Sequence, residues 1–182
     1  MMERYEIRLS GSGGQGLILA GKILAEAAAI YEGRNAVQTQ SYGPEARGGA
    51  SKAEVVISDG EIDYPKALEL DLLLSLTQES CRKYSGDLKK GGILIIDSGL
   101  VKELPKGEFK VYSLPITEIA TEKVGKAVVT NIVALGILTR IAGVISEESV
   151  KKAILARVPK GTEELNMKAF DEGFRAGSGL LS

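Results

Sequence analysis

The chain has 182 residues, of which 44% are hydrophobic, and its 23 basic and 24 acidic side chains give a formal net charge of −1. This length suits one domain with a sizeable core, and the balanced charge argues against an electrostatic nucleic-acid binder, which normally carries a basic excess. No apolar run is long enough to span a bilayer, and the amino terminus lacks the apolar region of a signal peptide, so we expect a cytoplasmic protein without a membrane partner.

Short strands alternate with helices along the chain. Strands are predicted at 6–10, 35–40, 53–58, 71–76, 93–96 and 110–114, and helices at 15–31, 79–88, 116–124, 131–142, 147–156 and 163–176. The near-continuous apolar runs at 71–76 and 93–96 are typical of strands buried on both faces. We therefore predict an α/β fold in a single domain over residues 1–182: a Rossmann-like, doubly wound, mostly parallel sheet with helices on both faces and a helix-rich C-terminal third. The predicted N-caps are Thr77, Thr130, Ser146 and Thr162.

The residue inventory limits the chemistry. The chain has no His and a single Cys, Cys81. Iron–sulfur clusters need several thiolates and structural zinc needs four Cys or His ligands, so we expect this chain alone to bind neither. The missing imidazole also excludes Ser-His-Asp and Cys-His arrangements. Cys81 lies in a polar stretch, QESCRKYS, and is interpreted as a structural or semi-exposed thiol. We predict no catalytic residue and no metal site.

A glycine-rich segment, GSGGQG at 11–16, matches the G-x-G-x-x-G pattern between a strand and a helix. Such glycines allow positive φ, and the start of the helix favours an anion, so Gly11, Gly13, Gly14 and Gly16 are predicted to shape an anion pocket, with Gln15 as a side-chain donor. The second strand ends in QTQS, without the acid that a dinucleotide site uses to bind ribose. Two interpretations stay open here: a phosphate or carboxylate site, or a tight turn that lets the first helix pack closely.

A second unusual loop, SYGPEARGGA at 41–50, follows the second strand. The carboxyl ends of parallel strands meet at one edge of a sheet, so both loops are expected to be neighbours there. Glu45 and Arg47 either pair with each other or leave Arg47 to bind an anion or a partner's carboxylate. The residues of this predicted partner or ligand loop are Tyr42, Gly43, Glu45, Arg47, Gly48 and Gly49.

Four segments together resemble one known family. GSGGQG, SYGPEARGGASKAEVVIS, Ile62-Asp63-Tyr64-Pro65 and GGILIIDSGLV are similar to the gamma subunit, or gamma domain, of the 2-oxoacid:ferredoxin oxidoreductases. The resemblance extends from about Ile7 to the NIVALG segment that ends at Gly136. The ARGGASKAE stretch is most similar to the 2-oxoglutarate branch.

The resemblance implies a pyruvate/ketoisovalerate ferredoxin oxidoreductase gamma-type domain in a multi-subunit enzyme. Such enzymes oxidatively decarboxylate a 2-oxoacid to an acyl-CoA and CO2 and reduce ferredoxin. Thiamine diphosphate with Mg²⁺ lies between alpha and beta subunits, and beta and delta components carry iron–sulfur clusters. The resemblance thus implies alpha and beta partners, a delta subunit as a further candidate, and contact with ferredoxin through the complex. The isolated gamma chain is expected to bind no cofactor and to be inactive.

Residue roles also come from this resemblance. It implies that the glycine loop lies on the side that faces CoA, and that Tyr42, Glu45 and Arg47 face a partner subunit or CoA. Two alternatives stay open. One is a stand-alone Rossmann-like protein that binds NAD(P) or an adenine nucleotide, and the other is a purely structural role for both glycine loops.

Overall fold

Six strands form one sheet in the computed structural model, which describes residues 3–41 and 49–181. The strands are β1 (Tyr5–Ser12), β2 (Asn35–Gln40), β3 (Ala50–Ser58), β4 (Leu70–Ser75), β5 (Leu88–Asp97) and β6 (Lys110–Leu114). Their order across the sheet is β2-β3-β1-β4-β5-β6. The pairs β1–β4, β4–β5 and β5–β6 are parallel, whereas β3 is antiparallel to both β1 and β2. The predicted mostly parallel α/β sheet is confirmed, with β3 as the exception.

The first strand is longer than predicted. Gly11 and Ser12 belong to β1, because they pair with Ser51 and Ala50 at the start of β3. The predicted loop at 11–16 is therefore wrong in its first two residues, and the connection to the first helix is only 13–16. The composition of Gly11-Ser12 is typical of a loop, and only the antiparallel partner makes the segment a strand.

Six helices flank the sheet. They are α1 (Leu17–Glu26), α2 (Gln78–Tyr84), α3 (Ile116–Glu118), α4 (Thr130–Ala142), α5 (Glu147–Arg157) and α6 (Glu163–Leu181). Helix α1 continues as a π turn over Ala27–Tyr31 and α3 as a π turn over Ile119–Val124. The helix predicted at 79–88 is too long: a 3₁₀ turn at Ser85–Asp87 follows α2, and β5 already begins at Leu88, which pairs with Leu70.

Two of the predicted N-caps are confirmed. The Thr77 hydroxyl accepts a hydrogen bond from the Ser80 N–H at 3.2 Å, and the Ser146 hydroxyl accepts one from the Ser149 N–H at 3.1 Å. These bonds satisfy donors that lack a partner within the first turn of a helix. Thr130 is instead the first residue of α4, and its hydroxyl donates to the Ala127 carbonyl at 2.7 Å.

Apolar side chains cover both faces of the sheet. Ile7 and Leu9 of β1 face the larger core, which α1, α4, α5 and α6 cover. Val56 and Leu73 face the other side, where α2 packs with Cys81 and Tyr84. Helices thus lie on both faces, as predicted. None of the helices in the described part of the chain has the length and apolarity that crossing a bilayer requires.

Candidate functional site

The two predicted loops leave the sheet at the same edge. Ser12 at the end of β1 pairs with Ala50, and Gln40 at the end of β2 pairs with Ala53. The Ser41 N–H donates to the Lys52 carbonyl at 3.2 Å, which extends this pairing by one residue. The described ends of the 41–49 segment therefore lie beside the glycine loop, as expected. Gly49 is half-buried directly before β3, whereas five predicted residues lie outside the described part of the chain: Tyr42, Gly43, Glu45, Arg47 and Gly48.

The glycine loop uses backbone conformations that favour glycine. Gly14 has φ 84° and Gly16, the N-cap of α1, has φ 73°. No side chain caps α1, so N–H groups of its first turn have no partner within the helix. Helix N-termini of this kind attract anions through these donors and through the helix dipole. The geometry is thus compatible with the predicted anion pocket at the start of α1.

Gln15 folds back over the loop that contains it. Its Oε1 atom accepts a hydrogen bond from the Ser12 N–H at 2.7 Å. A Cβ atom at Gly11 would lie 2.2 Å from that Oε1, so the missing side chain of Gly11 makes room for Gln15. Gly11 is part of β1, and its missing side chain leaves the space that the Gln15 side chain occupies. The Nε2 atom of Gln15 has no partner among residues 3–41 and 49–181 and remains able to donate to a ligand.

Asn131 completes this loop and was not predicted to do so. Its Nδ2 atom donates to the Gly16 carbonyl at 3.1 Å, and a Cβ atom at Gly16 would lie 2.4 Å from the same Nδ2. Asn131 is in the first turn of α4, which also lacks a side-chain N-cap. The starts of α1 and α4 therefore meet at the loop, and the Asn131 Oδ1 atom also accepts from the Ile132 N–H at 3.0 Å. In the sequence, Asn131 is the first residue of the NIVALG segment. This segment has no polar pattern that would have indicated its role in the loop.

Asp97 lies at the same edge but has a structural role. Its Oδ1 atom accepts from the Gly99 N–H at 2.9 Å, and its Oδ2 atom accepts from the Thr117 N–H at 2.9 Å and the Thr117 hydroxyl at 2.6 Å. The carboxylate is buried and these bonds hold the start of α3 against the end of β5. All three of these bonds are made within the fold, so Asp97 positions backbone and is not directed at a ligand.

Cys81 is buried, so the prediction that it could be semi-exposed is wrong. Burial raises the pKa of the Cys81 thiol, while a hydrogen bond with Ser75 and the positive charge of Arg82 oppose this rise. A thiol with a raised pKa stays protonated at neutral pH and is a poor nucleophile. Within residues 3–41 and 49–181, no group of three or more His, Cys, Asp or Glu side chains could hold a metal ion. The arrangement suits binding and packing.

The sheet order argues against a dinucleotide site. In that type of site, the strand that binds the ribose lies next to the strand before the glycine loop. Here β3 separates β2 from β1, so the end of β2 is two strand spacings, about 10 Å, from β1. The stand-alone nucleotide-binding alternative is therefore not favoured.

Comparison with known proteins gives consistent results. The family described as pyruvate ferredoxin/flavodoxin oxidoreductase matches residues 6–176. The chain is 54% identical over 179 residues to 2-oxoglutarate synthase subunit KorC of Methanocaldococcus jannaschii, which covers 97% of this chain and 96% of that protein. A solved gamma subunit of a keto/oxoacid ferredoxin oxidoreductase from Geobacter sulfurreducens is 56% identical, has a TM-score of 0.91, and matches 97% of each chain. Ketoisovalerate oxidoreductase subunit VorA of Methanothermobacter marburgensis is 35% identical over 149 residues, which are 81% of this chain and 31% of that protein.

Proposed function

The chain belongs to the pyruvate ferredoxin/flavodoxin oxidoreductase family, and from this premise we propose that it is the gamma subunit of a 2-oxoglutarate:ferredoxin oxidoreductase. The complex oxidatively decarboxylates 2-oxoglutarate to an acyl-CoA and CO2 while it reduces ferredoxin. The observation that carries this proposal is the 54% identity to KorC over almost the full length of both chains. The 35% identity to the ketoisovalerate subunit VorA favours 2-oxoglutarate over that branched substrate.

The redox chemistry belongs to the partner subunits in this proposal. The chain has no His, and its one Cys is buried and protonated at neutral pH. Thiamine diphosphate with Mg²⁺ supplies the decarboxylation chemistry and iron–sulfur clusters carry the electrons, all on alpha, beta and delta subunits. The gamma chain contributes shape and binding contacts, and it is inactive by itself.

The glycine loop is the part of this chain that we assign to the CoA-facing side. Its support is the start of α1 at Gly16, the start of α4 beside it, and the free Nε2 of Gln15. Unpartnered N–H groups at the start of α1 favour a phosphate or carboxylate over a neutral group. The 41–49 loop, with Arg47 as its cation, leaves the same edge and is assigned to the partner subunit or to CoA.

The function is tested on the complex purified from the native cell through a tag on this chain. We expect co-purification of thiamine diphosphate, iron and the partner subunits, and CoA-dependent ferredoxin reduction that is fastest with 2-oxoglutarate. Pyruvate and 2-oxoisovalerate serve as competing substrates. Faster turnover with either of them would contradict the substrate assignment. Turnover by the isolated chain would contradict its role as a non-redox subunit.

The CoA-facing assignment has its own test. In the assembled complex, Arg47→Ala is expected to raise KM for CoA by about tenfold with kcat retained, because a charge-assisted hydrogen bond is lost. Arg175→Ala is the matched control, since Arg175 is an exposed cation whose ion pair among the described residues is with Glu172 on its own helix. An unchanged KM for CoA in Arg47→Ala would remove Arg47 from the CoA contacts.

A further inference from the structure

A shallow apolar groove lies between the end of β6 and the second half of α6. Its volume is about 260 Å³, and its apolar lining consists of Leu114, Pro115, Ile119 and Ala176. Leu180 follows Ala176 by one helical turn, so both side chains lie on the same face of α6. Leu180 is 45% exposed. The apolar surface therefore continues from the groove along α6.

Two acidic side chains on the edge of the groove lack counter-charges. Glu118 and Glu122 are exposed and lie four positions apart in the helical segment that begins at Ile116. Like charges at this spacing repel each other and weaken a helix. Neither carboxylate has an ion pair or hydrogen bond in the described part of the chain. Lys123 also lines the groove, so its charged side chains carry a net charge of −1.

The backbone beside the groove is unusual. The segment Ile119–Val124 is a π turn that ends at Gly125 with φ 99°. The π geometry is rare and is frequent at functional sites, although this chain has a second π turn at Ala27–Tyr31. Together with the repelling carboxylates, it indicates a segment shaped for a contact, since neither feature stabilises the isolated helix.

The comparison with VorA indicates what kind of molecule contacts this domain. The matched 149 residues make up only 31% of VorA, so the domain there is part of a longer polypeptide. A large protein neighbour is thus attached to the matched domain in that relative, and in the proposed complex this kind of neighbour is a partner subunit. The groove is also shallow, whereas ligand sites are mostly clefts that bury most of a small molecule.

We infer that this groove binds a segment of a partner subunit that presents an apolar side chain flanked by Arg or Lys. The inference rests on the proposed function, which supplies the partner. The apolar side chain covers Ile119 and Ala176, and the cation lies between Glu118 and Glu122 and removes their repulsion. This is the common composition of an interface, with an apolar centre and a charged rim.

The test uses charge reversal in the full chain. Glu118→Lys/Glu122→Lys is expected to weaken binding to the other subunits by about tenfold or more, because it places cations against a cationic segment. The matched control is Glu61→Lys/Glu69→Lys, which reverses two exposed carboxylates that also have no ion pair among the described residues. The control is expected to bind like the unaltered chain. Equal affinities for both variants would overturn the inference.

The wild-type chain separates this inference from the proposed function. If it fails to bind the partner subunits, the proposed function fails and the inference with it. If it binds them and the Glu118→Lys/Glu122→Lys variant binds equally well, only the inference fails. Self-association of the isolated chain that this variant abolishes would assign the groove to a second copy and would also overturn it.

A second readout does not depend on affinity. Cys81 is 1% exposed and therefore hardly accessible to a thiol reagent. In the Glu122→Cys variant, a thiol-reactive, environment-sensitive fluorophore would thus label the new thiol selectively. Addition of the partner subunits is expected to shift its emission to shorter wavelength, because the probe enters an apolar interface. The same label on Glu61→Cys is the control and is expected to show no shift. An unshifted Glu122→Cys probe in the assembled complex would contradict the inference.

Discussion

The Asn131 Nδ2 atom donates a hydrogen bond to the Gly16 carbonyl oxygen at 3.1 Å and thereby joins the start of α4 to the start of α1. Asn131→Ala is expected to lower the free energy of unfolding by about 1 kcal/mol through the lost hydrogen bond. Gly16→Ala is expected to lower it by about 2–4 kcal/mol, since a Cβ atom meets both a positive φ and Asn131. Urea denaturation measures both.

A double-mutant cycle separates the two costs of Gly16→Ala, which are the positive φ and the close contact with Asn131. In the Asn131→Ala background the contacts with Nδ2 and Cγ are gone and only the Cβ atom of residue 131 remains, at 3.3 Å, so Gly16→Ala should cost about 1–2 kcal/mol, mostly from the backbone conformation. Gly14→Ala is the control, because Gly14 has φ 84° with nothing within 4 Å of a Cβ atom. Strict additivity of Gly16→Ala and Asn131→Ala would show that the two residues do not interact.

Glycines also set the distance between α4 and α6. A Cβ atom at Gly136 would lie 2.2 Å from the Phe170 carbonyl oxygen, and one at Gly173 would lie 2.0 Å from the Val133 carbonyl oxygen. Gly136→Ala and Gly173→Ala are each expected to cost about 2–3 kcal/mol or more, because backbone atoms cannot move aside as side chains do. Thermal unfolding monitored by circular dichroism measures the loss.

Gly179 provides the control for that pair. It lies in α6 with nothing within 4 Å of a Cβ atom, so Gly179→Ala should keep or slightly raise the melting temperature through helix propensity. A similar loss of stability in all three variants would show that the α4–α6 distance is not the cause.

A buried ion pair joins β1 to β3. Arg8 and Glu54 are opposite each other in the register, and the Arg8 Nε atom donates to Glu54 Oε2 at 2.8 Å. Glu54→Leu is expected to cost about 1.5–3 kcal/mol, because the buried Arg8 guanidinium loses this partner and keeps the Asp87 carboxylate at 2.5 Å. The double variant Arg8→Leu/Glu54→Leu is expected to be more stable than Glu54→Leu alone. Chemical denaturation of the three variants decides this, and a double variant less stable than Glu54→Leu would contradict it.

Tyr5 makes stability sensitive to alkaline pH. Burial, with a smaller contribution from the negative charge of Asp71, raises the pKa of Tyr5 to about 12 from its ordinary value of 10.0. The folded chain therefore keeps the phenol proton at pH values at which the unfolded chain loses it. The free energy of unfolding is expected to fall as pH rises from about 10 towards about 12.

Tyr5→Phe isolates this effect, because phenylalanine has no proton to release. Urea denaturation at pH 8, 10 and 11.5 is expected to show a steeper fall for the unaltered chain than for Tyr5→Phe. Parallel curves for the two proteins would mean that Tyr5 titrates alike in the folded and unfolded states.

Hydrophobic patterning predicts where most strands and helices lie in the sequence. It does not predict how the strands pair or in which direction they run. The apolar runs at 71–76 and 93–96 and the helical spacing at 131–142 report burial directly, so they located β4, β5 and α4. The hydrophobic pattern of a strand such as β3 does not depend on the direction in which the strand runs, so its antiparallel pairing was not predictable. Glycine-rich composition likewise predicted a loop at Gly11, where pairing with β3 makes a strand.

In the candidate site, too, local features could be predicted and long-range contacts could not. Gly14 and Gly16 could be predicted, because the G-x-G-x-x-G pattern reflects a local backbone requirement. The contact between Asn131 and Gly16 spans 115 residues, and nothing local distinguishes this Asn from an ordinary polar residue at the start of a helix. The role of Gln15 as an acceptor also depends on the three-dimensional course of its own loop.

The central position of β1 has a consequence for biosynthesis. This strand is made first, yet its partners come much later: Ile7 pairs with Val55 on one side and Leu72 on the other. The nascent chain therefore carries an apolar strand with two open edges until both partners have left the ribosome. Such edges are prone to aggregate, and pairings between distant segments form slowly. Translation speed and chaperone access over the first half of the chain are thus expected to set the yield of folded protein.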